Sequence, residues 1–209
     1  MKNRYFSIGI ALICIIVFIF QQIIPGLTDV LLLNKNAVSG EIWRFLTSIF
    51  LHANLSHLVL NLFALIMFGL ILEKLIGSKR FLIIYFSAGI LANIFAVFFY
   101  SNSLGASGAI FGIIGALAVI RPLMTVWVFN LPLPMFVAAI IWAGIDILGV
   151  LFPTDVGNIA HLTGLAAGLA LGFYFRIKHF RNLEVRANYA RINIPENYMR
   201  DWEDRFLGK

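Results

Sequence analysis

Six apolar runs divide this chain, at about residues 7 to 24, 56 to 76, 81 to 100, 104 to 120, 132 to 152 and 157 to 175. Each is close to the roughly 20 residues that carry a helix across the hydrocarbon core of a bilayer. A soluble core has no room for so much greasy chain. The composition agrees, with 61% hydrophobic and 12% charged residues among 209 and a mean hydropathy of +0.92. The expected fold class is therefore all-α, a polytopic membrane protein built as a bundle of six transmembrane helices. One membrane domain is expected over residues 1–175, followed by a basic C-terminal tail over 176–209.

Lys2 and Arg4 precede the first run as they would in a secretory signal. The run leads into "FQQIIPGLTD" with no small-x-small cleavage pattern, so a retained helix is expected. The single cysteine, Cys14, lies inside it and has no intrachain partner for a disulfide.

The net charge of +6 does not form a basic patch interleaved with aromatics, so no nucleic-acid partner is expected. The sixteen Lys and Arg follow topology instead. With a cytoplasmic N-terminus, fourteen of them fall on the inner side and only Lys35 and Arg44 outside. Both termini are then cytoplasmic. The tail carries five acids against its eight bases, and a solvated extension lightly drawn to anionic headgroups accounts for it.

This topology brings the N-terminal ends of the second, fourth and sixth spans to one depth near the outer face. They open with "HLVLN", "GASG" and "NIAHLTG". Ser107 and His161 are the pair that acyl transfer needs: a serine hydroxyl is a weak nucleophile until an imidazole takes its proton, and that imidazole then protonates the leaving amine. Gly164, Gly168 and Gly172 recur every four residues on one helix, and Gly105, Gly108, Gly112 and Gly115 make a matching stripe on another. Small-residue stripes let two backbones approach closely in lipid, and a hydrogen bond from Ser107 to His161 is expected across that contact.

His57 and Asn61, spaced i, i+4, share a helix face. Their donors, and the Ser107 backbone N–H at a helix start, suit a tetrahedral oxyanion. Simpler readings exist for each residue taken alone. A serine between glycines packs helices, a histidine near a helix end sits at the interface, and a His/Asn pair ties helices together. Three such motifs on three helices at one depth favour chemistry.

In this order, "GEIWRFLTSIFLHANLSHLVLN" from Gly40, "GASGAIFG" from Gly105 and "AHLTGLAAG" from Ala160 resemble the rhomboid family of intramembrane serine proteases. The family's Trp-Arg pair, His-x-x-x-Asn, Gly-x-Ser-Gly and Ala-His-x-x-Gly-x-x-x-Gly all have counterparts here, over about residues 7 to 175. The resemblance implies a serine endopeptidase cutting transmembrane-helix substrates near the outer membrane face. Ser107 would be the nucleophile and His161 its base and acid, a dyad without a third carboxylate. His57, Asn61 and the Ser107 amide would form the oxyanion hole, with Gly105, Phe111 and Gly164 in support. Phe111 stands where the family often has a tyrosine packed on the histidine. Trp43 and Arg44 would be structural, at the outer interface.

No metal or other cofactor is required by this reading; its partners are transmembrane substrates and the lipid bilayer. The plasma membrane of a prokaryote is the expected location. His52 reads as a tie for the outer loop. Asp146, the only acid well inside a span, is a functional candidate as an intramembrane carboxylate, either protonated or paired with an amide, but has no place in a dyad mechanism. The outer link holding Asp155 and Asn158, with Trp142, would move if substrates enter laterally. The prolines of "FNLPLPMF" would set the first turn of the fifth span. A non-catalytic rhomboid-like binder of membrane helices is the main rival, and a small channel or transporter a weaker one, since the polar groups gather at one end only.

Overall fold

The computed structural model describes residues 5–152 and 156–192, with side chains as far as residue 177. The backbone divides into two units, Met1–Phe173 and Tyr174–Lys209, and the site described below lies wholly in the first.

Among the described residues, eight α-helices run in the order α1 (Phe6–Ile23), α2 (Leu27–Leu31), α3 (Arg44–Thr47), α4 (Leu55–Ile76), α5 (Ser78–Ala96), α6 (Ser107–Ile120), α7 (Met135–Leu151) and α8 (Asn158–Ile192). Four stretches are long and apolar enough to cross a membrane: Phe6–Ile23, Leu55–Ile76, Ser78–Ala96 and Asn158–Ile177. The fourth and fifth expected spans appear as shorter apolar helices of 14 and 17 residues, α6 and α7.

The chain is mostly helical, and two antiparallel strand pairs qualify the all-α expectation. Strand β1 (Leu33–Asn34) pairs with β2 (Asn102–Ser103), which ties the loop after α2 to the approach to α6. Strands β3 (Thr125–Val128) and β4 (Leu131–Pro134) form a hairpin turning at Phe129 and Asn130, both at positive φ. Two consecutive left-handed residues suit the right-handed twist of a two-residue hairpin loop. Pro132 and Pro134 therefore lie in β4, with Pro134 as the N-cap of α7, rather than inside the first turn of a helix. A two-stranded ribbon has only edge strands, where a residue without an N–H is tolerated.

Helix α6 is the middle of the bundle. It buries ten of its 14 residues, from Gly108 to Ala118, whereas α1 buries only Ser7, Ile10, Ala11 and Cys14. Glycine and alanine are the reason. A Cβ at Gly108 would lie 2.6 Å from the Ala92 Cβ of α5, and one at Gly164 or Gly168 would run into the carbonyl oxygen of Gly108 or Gly112. The expected stripes are thus a real α6–α8 contact at backbone distance, with one exception. Gly105 precedes α6 and lies off its stripe, at φ +129° against the His57 ring.

Two polar anchors hold the frame. The Glu73 carboxylate accepts from the Phe6 and Ser7 N–H groups and the Ser7 and Ser78 hydroxyls, so one side chain caps α1 and joins α1, α4 and α5. Arg44, only 5% exposed, donates to the carbonyls of Asp29 and Leu32 at 2.7 Å and pairs with Glu41, while Trp43 donates to the Val30 carbonyl. The Trp-Arg pair is structural, as expected.

Candidate active site

Asn54 starts the site. Its side-chain oxygen accepts from the His57 N–H at 2.8 Å, a standard N-cap that fixes where α4 begins and which way its first turn faces. Gly105 donates its N–H to the Ser48 carbonyl at 2.9 Å and turns the chain so that Ser107 is the first residue of α6. The Ser107 N–H is then one of the orphan donors of a helix start, at the positive end of the dipole. Tyr100 accepts from the Ile159 N–H at 3.0 Å and so caps the start of α8, one turn of which carries His161.

These three helix starts meet around a cavity of about 720 Å³. His57, Asn61, Gly105, Ser107 and His161 all line it, together with Asn93. Phe111 and Gly164 stand behind that wall. The Phe111 ring stacks on His161 with centroids 4.3 Å apart and planes 7° from parallel. Gly164 lets α8 close onto Gly108, next to Ser107.

Two of the expected contacts differ in detail. Among the described residues, the Ser107 hydroxyl makes no hydrogen bond, to His161 or to any other group. A hydroxyl and imidazole without substrate are commonly held apart and close up only when the reacting carbonyl is in place. Asn61 donates one amide N–H back to the His57 carbonyl at 2.9 Å, which leaves its second N–H for the cavity.

The ring tautomers follow from the remaining contacts. Ala53 N–H approaches the Nδ1 of His57 at 3.4 Å, so Nδ1 accepts and Nε2 carries the proton. That Nε2 lies where a Cβ at Gly105 would meet it at 2.9 Å, so only glycine leaves room for it. His161 Nδ1 lies 3.0 Å from Asp146 Oδ1, a contact between α8 and α7 that places a carboxylate behind the imidazole.

His52, outside the spanning helices and only 1% exposed, stacks edge-on against His57 at 5.2 Å. Its backbone exchanges hydrogen bonds with the Gln21 side chain, which ties the segment before α4 to α1. Burial, reinforced by the neighbouring His57 and opposed by the Phe50 backbone, pushes its imidazole down to about 4. Trp142 packs edge-on against Phe68 of α4 at 5.8 Å, and Asn158 is buried beside Gly149 at the start of α8. Asp155 and residues 193–209 of the C-terminal tail lie outside the described residues.

Asn93, Tyr100 and the partner of Asp146 were not foreseen. Asn93 donates to the Phe45 carbonyl and the Ser48 hydroxyl, holding the segment that in turn positions Gly105. An amide inside an apolar span was the available signal. The link from Asp146 to His161 had none, because the two residues are on different helices.

Residues 39–178 match the family model described as Rhomboid domain. RHOMBOID-like protein 6, mitochondrial, of Arabidopsis thaliana is 37% identical over 143 residues, 66% of this chain and 46% of that protein. The Putative rhomboid protease YdcA of Bacillus subtilis is 32% identical over 145 residues, 67% of this chain and 70% of that protein. Inactive RHOMBOID-like protein 8 of Arabidopsis thaliana is 47% identical over 79 residues, 37% of this chain and 22% of that protein. The chain spans about half the length of several of the curated relatives it matches. A plant mitochondrial protein among them lends no support to the expected prokaryotic plasma membrane. With that domain match, four helices fit to cross a bilayer and the motifs of three helix starts gathered at one cavity, the chain is an integral membrane protein and belongs to the rhomboid family.

Proposed function

We propose that this chain is an intramembrane serine endopeptidase that cleaves transmembrane-helix substrates near the outer membrane face. The observation that carries this reading is the single cavity lined by Ser107, His161, His57 and Asn61. Ser107 Oγ attacks the scissile carbonyl and its proton passes to His161 Nε2. The oxyanion is held by the His57 Nε2–H, the free N–H of Asn61 and the Ser107 backbone N–H. His161 then protonates the leaving amine, and water hydrolyses the acyl-enzyme by the same route in reverse. The parallel Phe111 ring limits the tilt of the imidazole between these steps.

Six helices span the membrane with both termini cytoplasmic, the arrangement that puts fourteen of sixteen basic residues inside. Helix α6, with 14 residues, is about 21 Å long against a hydrocarbon core of about 30 Å. If its C-terminal end is at the inner boundary, Ser107 stands roughly 9 Å below the outer one. The polar cavity supplies water at that depth. A substrate helix has to unwind locally to present a carbonyl, so helix-weakening sequences are the preferred substrates. Residues 1–175 form the protease domain and 176–209 the basic tail.

Labelling of the purified protein by a fluorophosphonate serine probe tests this without knowledge of the substrate. Wild type is expected to label, and Ser107→Ala, with the wild-type thermal melt, and folded His161→Ala to lose labelling. A folded wild type that stays unlabelled would transfer the assignment to a non-catalytic binder of membrane helices; one relative is named as inactive.

A further inference from the structure

The geometry points to Asp146 as a positioning residue for His161, a carboxylate standing behind the Ser107–His161 dyad; the inference rests on the protease reading above. Asp146 lies on α7, 4% exposed, and its Oδ1 is 3.0 Å from His161 Nδ1. Its other oxygen, Oδ2, has no hydrogen-bond partner among the described residues. The carboxyl is therefore committed to the imidazole, with no Lys or Arg sharing it among the described residues. A buried carboxylate is costly in a membrane helix unless something specific is gained from it.

With Oδ1 accepting, Nδ1 carries the ring proton and Nε2 keeps its lone pair, the tautomer a general base requires. Three helices then fix the ring. Phe111 of α6 covers one face, Asp146 of α7 holds one edge and the first turn of α8 holds the Cβ. No carboxylate lines the cavity among the described residues, so Asp146 reaches the chemistry only through His161. When the Ser107 Oγ–H bond breaks and the Oγ–C bond forms, the proton goes to Nε2 and the carbonyl electron pair to the oxyanion. The imidazolium keeps its Nδ1–H on Asp146, which stabilises the new positive charge without accepting the proton.

The test uses the fluorophosphonate probe on the full chain. There, Ser107 Oγ displaces fluoride from phosphorus and its proton again passes to His161. Saturation kinetics separate the maximal inactivation rate from the probe concentration at half-saturation. Asp146→Asn and Asp146→Leu are expected to lower the maximal rate by roughly 10- to 100-fold, part of the 10²–10⁴ that a general base supplies. Half-saturation should stay within about twofold, because Asp146 does not touch the probe. Asp146→Glu should recover most of the lost rate. Thermal melts identify variants that fold, and the Asn and Leu replacements are close enough in size that at least one serves.

Wild-type maximal rates in folded Asp146→Asn and Asp146→Leu would overturn the positioning role and leave the protease reading intact. A loss confined to half-saturation, with no rescue by Glu, would also overturn it, as the mark of a packing role. A folded wild type that does not react at all would instead overturn the protease reading and the positioning role with it.

Discussion

Gly105 carries more of the site than its size suggests. At φ +129° it occupies backbone space that L-residues avoid, and an added Cβ would meet the His57 ring at 2.8 Å. Gly105→Ala is therefore expected to displace the His57 Nε2–H and lower turnover by about two orders of magnitude, the typical effect of one lost oxyanion donor. The fluorophosphonate labelling rate measures it, and an unchanged rate would remove His57 from the oxyanion hole. His52 makes a different prediction. Its imidazole titrates at about 4 when folded and 6.5 ordinarily, so between those values the unfolded chain binds a proton that the folded chain does not. Stability then falls as pH drops through that window and is untouched above it, by at most about 3 kcal/mol from this group. Thermal melts across the window should show a shallower acid slope for His52→Phe than for wild type. Equal slopes would mean the ring is not held neutral by its burial.

The contact between α6 and α8 decides whether the site exists. A Cβ at Gly164 would collide with the Gly108 carbonyl, one residue from Ser107, and backbone cannot step aside as a side chain can. Gly164→Val is expected to cost about 3 kcal/mol of stability and to depress labelling beyond that loss, because separation of the helices carries His161 away from Ser107. A normal thermal melt would contradict this packing. The four-residue glycine periods and their faces could be read directly along the chain, since an α-helix repeats every 3.6 residues. The β3–β4 hairpin could not, because Leu131, Pro132, Leu133 and Pro134 alternate too weakly to be told from the start of a helix. What set it apart was a turn at Phe129 and Asn130 that needs two left-handed residues without glycine.

Among the described residues, the helices are apolar outward. On α1, Leu12, Ile16, Ile19 and Ile23 are each about half exposed or more, and α4 and α7 present Leu60, Phe63, Ile140 and Leu151 in the same way. Only a lipid solvent makes such a surface stable. Cys14 is buried, so single cysteines placed at Lys35 and at Arg80 report topology cleanly. Labelled by an impermeant maleimide in sealed vesicles, they should react from opposite sides, and reaction from the same side would refute the proposed orientation. The sequence alone determined the membrane class, the apolar runs, the family resemblance and the residues that would meet at one depth. Those properties are local, set by hydrophobic length, helical period and motif spacing. Tertiary structure decided that α6 and α7 are short, that Gly105 serves His57 and lies off the stripe, that Ser107 and His161 share a cavity without a hydrogen bond, and that Asp146 stands behind His161. Apart from the helix lengths, each of these is a contact between segments far apart in the chain, and the residues of one segment do not encode where another will place its side chains until the backbones have packed.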